Sequence, residues 1–195
     1  TFPKENNEVK FNSIIGSDRY DTAAKLSSSN FTSSDTVVIV NGLAIADGLA
    51  VTPLATYLKA PILLVRKDTI PSQTIEEIRR LGAKKVIIAG GETVVSNNIY
   101  NELSSNGIKD IRRVAGDNRY ETSLEIAKYI DTNCYNIENI VVSNGLTEAD
   151  AMSIAAISGK KNMPIILSNS QRISDSSYDW LKNQWLKNAY IIGGE

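Results

Sequence analysis

The sequence predicts an α/β fold of two tandem Rossmann- or flavodoxin-like units with mostly parallel sheets, and three observations carry that expectation. First, the heptad Gly16-Ser17-Asp18-Arg19-Tyr20-Asp21-Thr22 returns as Gly116-Asp117-Asn118-Arg119-Tyr120-Glu121-Thr122. Second, further blocks recur in the same order. Asn41-Gly42-Leu43 with Ala46-Asp47 returns as Asn144-Gly145-Leu146 with Ala149-Asp150, Pro61-Ile62-Leu63-Leu64 as Pro164-Ile165-Ile166-Leu167, and Gly90-Gly91-Glu92 as Gly193-Gly194-Glu195. The offset is 100 residues for the heptad and 103 afterwards, so a three-residue insertion between Thr122 and Asn144 explains the change. Third, β-branched runs such as Thr36-Val37-Val38-Ile39-Val40, the mark of strands buried on both faces, alternate with helical segments. Units of this size exceed the ~20–50-residue repeats that build solenoids.

In chain order, residues 1–11 read as a polar leader arm, 12–110 as the first repeat and 111–195 as the second. Ser13-Ile14-Ile15 is a short strand candidate that runs into the first heptad. Asp18 with Asp21, and Asn118 with Glu121, make capping-box-like helix starts in which the acidic residue suits the helix dipole. After each strand at Thr36–Val40 and Ile140–Val142, Asn-Gly breaks the strand and an aspartate, Asp47 or Asp150, is expected to cap the next helix. Pro61–Val65 and Pro164–Leu167 are the next buried strands, with proline at the entrance where its missing donor does least harm. A helix from Ser72 carries Ile75, Ile78 and Leu81 at helical spacing and stops at Gly82. Lys85–Ala89 is a strand, Ser96–Ser105 a helix, and Ile111–Ala115 a strand that leads into the second heptad. The second copy continues through Ser174–Trp185 and Ala189–Ile192, and the counterpart of the Val94–Leu103 helix is missing, so the second copy reads as truncated.

Composition narrows the chemistry. A chain of 195 residues at 42% hydrophobic suits one or two domains, and the repeat decides for two. A formal net charge of −1 gives no global attraction to nucleic acid or membrane, and no apolar run approaches the ~20 residues of a membrane span. Thr1-Phe2-Pro3-Lys4 does not open a signal-peptide pattern, so the leader is expected to be absent or already trimmed. Histidine is absent and Cys134 is the single cysteine. That removes His/Cys zinc sites, cysteine–histidine pairs and serine–histidine triads; carboxylate or lysine chemistry stays open, and no metal site or catalytic residue is singled out. Ala89-Gly90-Gly91-Glu92-Thr93-Val94 lacks the Gly-x-Gly-x-x-Gly spacing of a dinucleotide site, so no cofactor is expected either.

In open parallel sheets ligands collect at the carboxyl ends of the strands. The candidates there are Arg19, Asn41 and Asp47, with Arg119, Asn144 and Asp150 as their repeats, and Arg112 and Arg113 flanking the second heptad. Two readings stay open for Arg19 and Arg119: a carbonyl or ion-pair clamp on the heptad turn, or a planar fork for an anionic ligand. Asn41 and Asn144 read first as turn formers, and Tyr20 and Tyr120 as packing residues.

Taken together, Gly-x-x-Arg-Tyr-x-Thr, Asn-Gly-x-x-x-Ala-Asp, Pro-Ile-Leu-Leu and Ile-Ile-x-Gly-Gly resemble the cell wall binding repeat 2 modules of clostridial surface-layer and cell wall proteins. The resemblance covers about residues 14–195, with Ile166 departing from the Ile-Leu-Leu form. It implies a secreted, non-enzymatic anchor at the cell wall or surface layer, held to an anionic wall polysaccharide and to other copies of the repeat or other surface proteins. Such modules come as three tandem copies in a pseudo-threefold arrangement. It also associates Ile62, Leu63 and Leu64, with Ile165, Ile166 and Leu167, with anchoring; chemically that stretch is expected to shape the fold and leave direct contacts to the arginines. The alternatives are a small α/β enzyme acting on a nucleotide or wall sugar, and a purely structural lattice module.

Overall fold

The computed structural model describes residues 12–193; the leader arm, Gly194 and Glu195 lie outside the described residues. The first repeat holds α1 (Arg19–Asn30), β1 (Thr36–Asn41), α2 (Ile45–Tyr57), β2 (Ile62–Val65), α3 (Ser72–Leu81), β3 (Lys85–Ala89) and α4 (Asn97–Ser105). Then follow β4 (Asp110–Val114), α5 (Arg119–Asn133), β5 (Asn139–Asn144), α6 (Glu148–Lys160), β6 (Ile165–Ser168), α7 (Asp175–Lys182) and β7 (Asn188–Ile192). The elements follow the expected alternation. Gly82 ends α3 at φ +70°, where a left-handed residue is needed and glycine meets no steric cost.

The strands form two parallel sheets, β2-β1-β3-β4 and β6-β5-β7. Both faces of the first are covered. Val37, Ile39, Val86 and Ile88 point to α3 and α4, packing on Ile78, Leu81, Ile99 and Leu103. Val38, Val40, Ile87 and Ala89 point the other way, to Ala50, Val51 and Leu54 of α2. That burial on two faces is why these strands are apolar without alternation.

The two repeats are interlocked. β4 opens the second copy of the sequence, yet it pairs with β3 in the first sheet, Ile87 opposite Arg112 and Ile88 opposite Arg113. The core behind α2 also crosses the boundary, joining Leu54 and Ile87 to Ile126, Ile130, Ile137 and Ile140. The three-residue insertion lies within this seam: α5 has 15 residues where α1 has 12. Its lengthened end places Cys134 and Tyr135 beside Tyr57, whose hydroxyl donates to Cys134 O at 2.8 Å, with the two tyrosine rings 4.9 Å apart.

Two expectations are corrected. Ser13-Ile14-Ile15 forms no strand, and Ile15 is 74% exposed. The matching residues Arg113 and Val114 are in a strand because β3 of the preceding repeat lies alongside, and no described strand lies beside Ser13–Ile15. Asp47 and Asp150 are not helix caps. Ala44 and Thr147 take the N-cap positions, because the helix begins sooner after the Asn-Gly turn than a cap at the aspartate requires, and the aspartates fall inside the first turn.

Repeat-related helices differ in what they cover. Ala50, Pro53 and Leu54 of α2 are buried, whereas their counterparts Ser153, Ala156 and Ile157 of α6 are exposed, as is Met152 at 58%. An apolar face closed by the neighbouring repeat at α2 is open at α6. Leu54→Ala is expected to destabilise the chain by about 2–5 kcal/mol, the range for emptying a packed leucine site. Because that core belongs to both repeats, urea unfolding followed by fluorescence should stay a single transition moved to lower urea; loss of one repeat alone would contradict a shared core.

Candidate functional site

The recurrent heptad is one half of a clasp. Asp18 caps α1 by accepting from Asp21 N at 2.8 Å, and Asn118 caps α5 by accepting from Tyr120 N and Glu121 N at 2.9 and 3.1 Å. Thr22 and Thr122 accept from the amide of the heptad glycine at 3.1 and 3.2 Å. The glycines are packed against the helix start: a Cβ on Gly16 would fall 2.2 Å from Thr22 N, and one on Gly116 2.3 Å from Glu121 Cβ.

The arginines reach the other half. Arg19 Nη1 donates to Gly42 O at 2.8 Å and Arg119 Nη1 to Gly145 O at 2.7 Å. Tyr20 and Tyr120 lie against the same two glycines, where a Cβ would stand 3.0 Å from the ring in each repeat. Asn41 and Asn144 hold these loops as Asx turns, accepting from Leu43 N at 2.9 Å and Leu146 N at 2.8 Å; Asn41 Nδ2 also donates to Val94 O at 2.7 Å. The heptad and the Asn-Gly block therefore recur together because each completes the other. Their joint recurrence was the signal, in the sequence, for a contact between them.

The clamp reading of Arg19 and Arg119 describes one nitrogen of each. Both residues remain exposed, and their other nitrogens make no hydrogen bond among the described residues. Arg112 and Arg113 diverge, as neighbours on a strand must. The Arg112 guanidinium lies 5.5 Å from the Tyr129 ring centre, while Arg113 Nη1 donates to Gly90 O at 2.7 Å. Burial pulls the Arg113 pKa down, opposed by the nearby Glu92 carboxylate. The four arginines do not form one patch.

Where the repeats meet, at the carboxyl ends of β1 and β3, a cavity of about 290 Å³ opens between the start of α2, the loop after β3, the second heptad and the start of α6. Asp47, Gly91, Asp117, Asn118, Arg119 and Glu148 line it. Asp47 is 5% exposed, and its carboxylate makes no hydrogen bond among the described residues. Desolvation raises its pKa, and the charge of Arg119 acts in the opposite direction. Gly90, at φ +115°, makes room for it: a Cβ there would come within 3.1 Å of Asp47 Oδ2. Asp150 differs, being half-exposed and accepting from Thr147 Oγ1 at 3.1 Å.

Ile62, Leu63 and Leu64 form β2, and Ile165, Ile166 and Leu167 lie in β6, both edge strands of their sheets. Leu63, Ile166 and Leu167 are fully buried, so these residues act on the core. The sequence reading missed Glu148 and the cavity itself, which exists only where two repeats meet. It also missed Glu77, buried in α3, which accepts from Ser27 Oγ at 2.5 Å and from Arg80 Nε at 2.7 Å and ties α1 to α3; the Arg80 three residues on was its one visible sign. No group of three or more metal-ligating side chains gathers among the described residues.

Two parallel α/β units, each clasped internally from its heptad to its Asn-Gly loop and packed on a common core, define a tandem α/β repeat module. The chain belongs to the cell wall binding domain 2 (CWB2) family, whose model matches residues 14–100 and 113–195. It is similar to N-acetylmuramoyl-L-alanine amidase LytC of Bacillus subtilis, 33% identical over 93% of this chain and 36% of the amidase. The amidase enhancer of the same organism is 32% identical over 83% of this chain and 22% of its own length. Among solved structures, Cwp6 from Clostridium difficile matches with TM-score 0.88 and 37% identity over 98% of this chain and 32% of that one, and Cwp8 with 0.82 and 37% over 92% and 30%. This chain thus spans about a third or less of each of these relatives.

The raised pKa of Asp47 means that the folded chain takes up a proton more readily than the unfolded one. The stability this contributes is fully present below the ordinary value of 3.8 and is lost as pH rises through the folded pKa. Asp47→Asn is accordingly expected to unfold at higher urea than the parent at about pH 7, with the difference vanishing near pH 3. A difference of equal size at both pH values would show that burial of the charge is not its source.

Proposed function

We propose that the chain is a non-catalytic anchor that holds a secreted surface protein to an anionic polysaccharide of the cell wall without a covalent bond. The observation that carries this reading is the clasp arginine, present in both repeats at the carboxyl end of the sheet and committing one nitrogen to a carbonyl while the rest stay open. A planar, permanently charged fork already held in place loses little freedom on meeting a phosphate or carboxylate. Each such contact is weak, and repetition supplies retention: tethered sites gain ~100- to 10,000-fold in avidity. Family membership supports wall attachment as the purpose of the module.

The match to the amidase and to the amidase enhancer covers the minor part of each, and we place any attached activity outside the two repeats. The absence of histidine and of a dinucleotide fingerprint supports the same view. The open face of α6, repeat-related to the buried face of α2, is the surface on which another copy of the repeat would pack.

Co-sedimentation with purified cell walls tests the anchor. Binding is expected at low salt and release at high salt, since exposed charge contacts are screened within ~10 Å at 0.1 M. Arg19→Lys with Arg119→Lys keeps the charges and removes the forks, and should weaken retention about tenfold. Full retention in molar salt, or in the double variant, would sink the arginine grip.

A further inference from the structure

We propose that the cavity between the repeats binds a protonated primary amine carried on a sugar-sized residue, the amine donating to Asp47. This rests on the wall-polymer reading and adds to it the chemistry of one residue that the polymer must carry.

Buried polar groups nearly always have a partner, and a desolvated carboxylate without one is costly. Asp47 has none among the described residues, is 95% covered, and faces the cavity. A Cβ on Gly90 would crowd the carboxylate, 3.1 Å from Asp47 Oδ2. The site is therefore prepared for a donor that arrives with a ligand.

Charge decides which donor. Asp47, Asp117 and Glu148 bring three carboxylates to the lining, and Arg119 is its only cationic side chain, already donating to Gly145 O. The N-termini of α2, α5 and α6 all open on it and add about half a positive charge each. With the three carboxylates ionised the balance is slightly negative, and the unpartnered carboxylate of Asp47 is where an ammonium gains most. An ammonium has three donors and no acceptor, matching a lining rich in carboxylate oxygens. No side chain caps α2 at Ala44, so its first amides can meet hydroxyl or ring oxygens of the same residue. The volume of about 290 Å³ is at the small end of ligand sites. The lining contains no aromatic ring, so recognition is polar and not by stacking. In the second repeat Thr147 already occupies Asp150, so the site belongs to the junction of two repeats and not to each repeat alone. A polymer held here and by the clasp arginines would carry both acid groups and free amines.

The test titrates glucosamine, N-acetylglucosamine and glucose into the chain at neutral pH, followed by amide NMR shifts, with wall co-sedimentation measured in parallel. Glucosamine should shift the amides of Gly90, Gly91 and Asn118 and saturate, with the two uncharged sugars at least tenfold weaker. Asp47→Asn should weaken glucosamine on the order of tenfold or more, as loss of a charged hydrogen bond does. Should that variant unfold, Glu148→Gln at the rim decides, and a weakening there supports the site. Equal binding of the three sugars, no glucosamine binding, or unchanged affinity in a folded Asp47→Asn or in Glu148→Gln overturns the inference. Walls retained while glucosamine fails removes the amine site alone. Glucosamine bound while walls are not retained leaves the amine site standing and removes the polymer reading.

Discussion

Helix α2 buries its apolar face in a core that neither repeat closes alone. Leu54 belongs to it, with Val38, Val40 and Ile87 from the first sheet and Ile126, Ile130 and Ile140 from the second repeat. Each such side chain contributes roughly 1.5–3 kcal/mol by leaving water. That shared burial sets the relative placement of the repeats, and through it the distance between the start of α2 and the second heptad. The cavity with Asp47 and Arg119 is a consequence of the core behind it.

Backbone pairing reinforces the same constraint. β4 is second-repeat sequence in a first-repeat sheet, so a parallel ladder and an apolar core cross the same boundary. Repeats joined only by a linker would be free to move; these share hydrogen bonds as well as side chains. The longer α5 belongs to this arrangement, since its last turn delivers Tyr135 and Cys134 to Tyr57.

The recurrent motifs serve folding first and leave function in what remains. Glycine, cap residue, tyrosine and threonine of each heptad are fully used by the turn, the helix start and the Asn-Gly loop. Arginine is used in part, and its remaining donors are what the proposed grip draws on. Asp47 departs from this economy: a buried, unpartnered carboxylate that costs stability when ionised, placed where a ligand can reach it. Local violations of good packing chemistry of this kind concentrate at binding sites.

The chain's own sequence determined the duplication, the strand and helix order, the caps at Asp18 and Asn118 and the stop at Gly82, because these depend on periodicity and on residues a few positions apart. It left open whether Arg19 and Arg119 clamp or bind, and tertiary structure answered that one nitrogen of each clamps. It placed Ser13–Ile15 in a strand and Asp47 at a helix cap; the first has no described strand beside it, and the second lies inside a helix that already starts at Ile45. A strand exists only beside another strand, and a cap depends on where a turn releases the helix. The seam cavity, the interlocked β4 and the isolation of Asp47 were decided by tertiary structure alone, since each is a relation between segments tens of residues apart in the chain, and no local pattern encodes such a distance.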